Sequence, residues 1–120
     1  MARPFVFIVE DDPKLSEIVR LTLESDFKLE FCADGHTALE RLKDVIPQIV
    51  VLDLNLPGLS GREILTYIRA EARLARTQVI LTTADNRQAE TLNNDADIVL
   101  LKPVSPAQLR ELTLRLSSMQ

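Results

Sequence analysis

Three apolar runs, Phe5 to Val9, Ile49 to Leu52 and Ile98 to Leu101, each end on charge: Glu10-Asp11-Asp12, Asp53 and Lys102-Pro103 respectively. Strands that read as apolar almost throughout, as the first two do, are buried on both faces and belong to parallel sheets covered by helices. In such a sheet the charged ends all emerge at the carboxyl edge, where open α/β sheets place their ligand sites. Carboxylates a few ångströms apart cannot all stay ionised without a cation. The pattern therefore predicts a bound divalent ion of the oxygen-preferring kind.

Strand-like and helix-like segments alternate five times, the pattern of a doubly wound parallel sheet with helices on both faces. Strands are expected near residues 4–10, 28–32, 48–53, 77–83 and 97–101, the second of them alternating polar and apolar residues as a more exposed edge strand does. A first helix should follow Asp12-Pro13, an N-cap acid and a proline at the first helical position, and bury Leu15, Ile18, Val19 and Leu23. The second carries Ala38, Leu39, Leu42 and Ile46 at helical spacing. Ser60 with Glu63 reads as a capping box opening a third helix through Ile64, Leu65 and Ile68, and Ser105-Pro106 with Gln108 opens the last. The polar stretch from Asp85 to Asn94, with only Ala89 and Leu92 as apolar anchors, predicts a short, weakly held fourth helix.

Size and charge narrow the function. A chain of 120 residues fits one domain, read here as spanning 1–120. A formal net charge of −4 argues against direct binding to nucleic acid or an anionic membrane. The longest apolar run is five residues, too short for a spanning helix or a signal-peptide core, so a cytoplasmic location is expected. Cys32, the one cysteine, reads as a small buried side chain on the second strand, and His36 as a solvent-side residue at a helix start. No Gly-rich phosphate loop is present, which argues against nucleotide binding.

The segments Ile8-Val9-Glu10-Asp11-Asp12, Val51-Leu52-Asp53-Leu54-Asn55-Leu56-Pro57-Gly58-Leu59-Ser60-Gly61, Thr83-Ala84, Ala96-Asp97 and Lys102-Pro103 stand in a fixed order, with 30 residues from Asp53 to Thr83. In that order and spacing the chain resembles, over essentially its whole length, the receiver domains of two-component response regulators. The resemblance implies a flavodoxin/CheY-like fold, with strand order 2-1-3-4-5 and five helices. It implies that Asp53 accepts a phosphoryl group from a sensor histidine kinase or a histidine phosphotransfer protein. Asp11 and Asp53 would hold Mg2+ directly, Glu10 would act through a metal-bound water, and Asn55 would contribute its backbone carbonyl. Lys102 would balance the anionic oxygens, with its bond to Pro103 cis. Thr83 would offer its hydroxyl to the new phosphoryl group, and Ala84 would keep the entrance open. The implied protein is a signalling phosphoacceptor rather than an enzyme with an external substrate. It would act on an output domain or protein, and homodimer formation is left open. Competing readings are a pseudo-receiver that serves as a phosphorylation-independent scaffold and a small metal-dependent phosphatase.

The sequence also departs from the family. Receivers usually carry Tyr or Phe three residues before the lysine, where this chain has Val99, and a valine cannot make the inward ring swing. Thr83 to Lys102 spans 19 residues, shorter than usual, and the shortfall falls in the fourth helix. Asp95 and Val104 replace a glycine and a common phenylalanine. Phosphorylation chemistry is expected to survive these changes, while the relay to the output surface is expected to differ. Asn55 and Asp85, two residues beyond Asp53 and Thr83, flank the path of the attacking water in the family and imply a short-lived phosphoryl group.

Overall fold

The computed structural model describes residues 3–92 and 95–119. Along the chain lie β1 (Phe5–Val9), α1 (Pro13–Leu23), β2 (Lys28–Cys32), α2 (Gly35–Leu42), β3 (Ile49–Asp53), α3 (Gly61–Ala70), a 3-10 turn (Ala72–Leu74), β4 (Gln78–Thr83), α4 (Asn86–Leu92), β5 (Ile98–Leu101) and α5 (Pro106–Ser118). The strands form one parallel sheet in the order β2-β1-β3-β4-β5. This is the doubly wound arrangement, with the sequence's five strands in place and β2 at an edge. The 3-10 turn was not anticipated; it fixes Leu74, which is fully buried.

Because successive side chains of a strand point to opposite faces, each central strand feeds two cores. Phe7, Val9, Val50, Leu52, Val79 and Leu81 pack with Ala38, Leu42, Ile64 and Ile68 of α2 and α3. Val6, Ile8, Ile49, Val51 and Ile80 pack with Leu23, Leu109 and Leu116 of α1 and α5. Every residue of β3 is buried, including its terminal Asp53.

The helix starts expected at Asp12, Ser60 and Ser105 are in place, and Asp34 adds another at α2. The Asp12, Asp34, Ser60 and Ser105 side chains accept from the backbone N–H groups of Lys14, Thr37, Glu63 and Gln108. Two expected core positions are wrong. Ile18 is 44% exposed. The stripe that α1 buries runs through Val19 and Leu23, one i,i+4 step apart, and Ile18 sits about 100° around the helix from Val19. Ile46 is 59% exposed and lies beyond α2, which ends at Leu42, and Pro47 disfavours the helical region for the residue before it. Val45 packs on the core instead. The short α4 is as expected, with Asp85 Oδ1 accepting from Arg87 N at 2.9 Å to start it. Asn93 and Asn94, and the anchoring expected of the Leu92 side chain, lie outside the described residues. Among the described residues no helix is long and apolar enough to cross a membrane.

Candidate functional site

The carboxyl ends of β1, β3, β4 and β5 converge. Lys102, one residue past β5, places Nζ 3.0 Å from Asp53 Oδ2 and 3.3 Å from Glu10 Oε1. Asp53 is 2% exposed, Glu10 8%, and Asp11 lies open to solvent, so the cluster has one accessible side. Carboxylate oxygens of Glu10, Asp11 and Asp53 lie within 4.8 Å of one another. The other Asp53 oxygen, Oδ1, accepts from Asn55 N at 2.9 Å, and Glu10 Oε2 accepts from Asp12 N at 3.1 Å. The Lys102–Pro103 peptide bond is cis, as expected.

Close backbone packing holds this geometry. Gly61, at the start of α3, lies against the end of β3, and a Cβ there would fall 2.4 Å from the Asp53 carbonyl oxygen. Gly58, in the turn after β3, adopts φ 73°, a conformation suited to glycine.

Three carboxylates facing one ammonium leave an excess of negative charge. Burial pushes Glu10 up to about 7 from an ordinary 4.5, with the Asp53 charge adding to the rise and the Asp12 N–H and Lys102 opposing it. For Lys102, burial acts to lower the pKa, but the bonds to Asp53 and Glu10 together outweigh it and hold the amine charged above its ordinary value. Anionic hard-oxygen donors around the buried Asp53 carboxylate, short of compensating cation, match an oxygen-preferring divalent ion. Burial also raises the Cys32 thiol, consistent with the inert core role read from sequence.

Thr83 ends β4 fully buried. Its Oγ1 accepts from Asp85 N at 3.0 Å and from Asn55 Nδ2 at 3.5 Å, and it donates to Gln88 Oε1 at 3.0 Å. Asn55 thus touches both the Asp53 carboxylate, through its N–H, and Thr83, through its side chain. Sequence reasoning missed Gln88, one polar residue among many in a segment without a motif. Ala84 is exposed beside this network, and Val99 is half-buried against the core under α3. Asp85 Oδ1 also caps α4, accepting from Arg87 N. The structure brings Glu10, Asp11, Asp53, Asn55, Thr83 and Lys102 to one sheet edge.

A parallel 2-1-3-4-5 sheet with an acid cluster and a lysine at its carboxyl edge is the arrangement of a class of signalling domains. The chain belongs to that family: the model for the response regulator receiver domain matches residues 6–114. It is 33% identical over 110 residues to the phosphate regulon transcriptional regulatory protein PhoB of Rhizobium meliloti, covering 88% of this chain and 48% of that protein. It is 30% identical over 111 residues to the DNA-binding response regulator MtrA of Mycolicibacterium smegmatis, covering 89% of this chain and 47% of the relative. The chain thus spans about half the length of these relatives. Among solved structures, the beryllofluoride-activated DrrB receiver domain superposes with a TM-score of 0.87 at 26% identity, covering 97% of this chain and 98% of that one. The chemotaxis response regulator CheY4 of Vibrio cholerae shares the fold, with a TM-score of 0.87 at 23% identity, covering 96% and 99%.

Proposed function

We propose that Asp53 is the phosphoacceptor of a two-component pathway, and that residues 1–120 work as one receiver domain. The observation that carries this is the Lys102 ammonium bonded at 3.0 Å to a carboxylate that is 2% exposed within a cluster of further acids. One Asp53 carboxylate oxygen attacks the phosphorus of a phosphohistidine on a sensor histidine kinase or a phosphotransfer protein. A P–O bond forms as the P–N bond breaks, and the electron pair leaves on the imidazole nitrogen. Such a transfer demands alignment and positive charge around the equatorial oxygens more than covalent help. Lys102 supplies a fixed ammonium on one side. The Asn55 N–H holds the carboxylate in orientation, and Thr83 offers a hydroxyl to the product. Asp11, Asp53 and the Asn55 carbonyl would hold Mg2+, with Glu10 acting through water. When bound, that ion would supply charge neutralisation at the carboxylate cluster.

The domain catalyses only its own phosphorylation and dephosphorylation, and passes the signal to an output domain or protein. A cytoplasmic location accompanies that partnership. Incubation with acetyl phosphate and Mg2+ followed by intact mass tests the reading. One phosphoryl group should be gained by the wild type, and none by Asp53→Asn or in excess EDTA. Unchanged wild-type mass would favour a pseudo-receiver scaffold.

A further inference from the structure

A hydroxyl has one proton and two lone-pair directions. At Thr83 the Asp85 N–H takes one lone pair at 3.0 Å and Asn55 Nδ2 lies 3.5 Å away, and the hydroxyl directs its proton to Gln88 Oε1 at 3.0 Å. The one proton with which Thr83 can grip a phosphoryl oxygen on Asp53 is therefore already committed to α4. Gln88 sits in the first turns of that helix and is half-buried.

We propose that Gln88 is a latch, a positioning residue that holds Thr83 in the unphosphorylated state and whose release carries the signal into α4. This rests on the reading of Asp53 as phosphoacceptor. A fully buried hydroxyl is costly to leave without an acceptor, so the bond stabilises the resting loop. When a phosphoryl oxygen takes the proton, the Gln88 amide is near enough to the surface to find water instead. What changes is α4, which loses its side-chain tie to the end of β4. Gln88 lies five residues beyond Thr83, on the element next to the site, whereas Val99 has no ring to swing. The latch thus offers a route to the surface that does not use strand β5.

Beryllofluoride with Mg2+ serves as the phosphoryl mimic. Gln88→Met keeps the side chain's length and removes its acceptor. It should bind beryllofluoride about 2- to 10-fold more tightly than wild type, the range spanned by one net hydrogen bond. Gln88→Glu retains an acceptor and should bind no more tightly than wild type. In a Thr83→Val background, Gln88→Met should change affinity little, because no hydroxyl remains to be held. Amide exchange across Asn86–Leu92 in unliganded Gln88→Met should approach that of beryllofluoride-bound wild type. Equal affinities for wild type and Gln88→Met, or an undiminished gain in the Thr83→Val background, overturn the latch while leaving the phosphoacceptor reading intact. A wild type that binds no beryllofluoride overturns both.

Discussion

Lys102 and Asp53, 49 residues apart, meet at 3.0 Å because parallel strands β3 and β5 flank β4 and end at the same edge of the sheet. Lys102 also bonds Glu10, so one ammonium serves two buried carboxylates.

Lys102→Met should therefore destabilise the metal-free protein by about 1–2 kcal/mol at pH 8, between the costs of breaking a surface and a buried ion pair. At pH 5 the loss should be smaller, because Glu10 can be neutralised by a proton when its ammonium is gone. Urea unfolding in EDTA at both pH values measures this. Equal losses would show that Glu10 does not share the lysine's charge.

Glu10 gives the site a pH dependence of unusual sign. Its pKa is about 7 in the fold against an ordinary 4.5, so between those values the folded chain holds more protons than the unfolded chain. Stability must then fall as pH rises. The contribution is fully present below about 4.5 and is lost as pH rises through 7. In EDTA, the wild-type melting temperature should drop between pH 5 and pH 8, and Glu10→Gln should flatten that drop and melt higher than wild type at pH 8. A steeper loss in the variant would assign the pH dependence elsewhere.

Asp11→Ala should remove most of the stabilisation that Mg2+ confers. A bound ligand at a hundredfold excess over its Kd is worth about 2.7 kcal/mol. Without metal the variant should be as stable as wild type or slightly more so, because a crowded carboxylate has been deleted. Melts with and without Mg2+ decide the matter, and a variant stabilised as strongly as wild type would exclude Asp11 as a principal ligand.

Gly61→Ala should cost about 1–3 kcal/mol, the usual range for forcing a methyl into filled space, since its Cβ would fall 2.4 Å from the Asp53 carbonyl. Phosphorylation by acetyl phosphate should slow by more than the loss of folded protein explains, because the displaced backbone carries the proposed nucleophile. If the rate per folded molecule is unchanged, the contact serves packing alone.

Much of this molecule can be read from local chemistry. Apolar runs ending at Glu10, Asp53 and Lys102 specify strands whose ends share an edge, and Asp12, Ser60 and Ser105 mark helix starts by capping backbone donors close in sequence. Such signals are short-range and survive in a bare sequence. The failures arise where a longer context decides. Ile18 fits a helical stripe, yet the face that α1 turns to the core carries Val19 and Leu23. Ile46 fits another, yet α2 ends at Leu42 before it is reached. The charge state of Glu10 is also a tertiary property, set by burial and by an aspartate 43 residues away. The bond from Thr83 to Gln88 follows no motif, because it depends on where a seven-residue helix comes to rest against the end of β4. Residue identity by itself fixed the chemistry available at the sheet edge. Only the packing of α4 beside β4 decided which group holds the threonine's single proton.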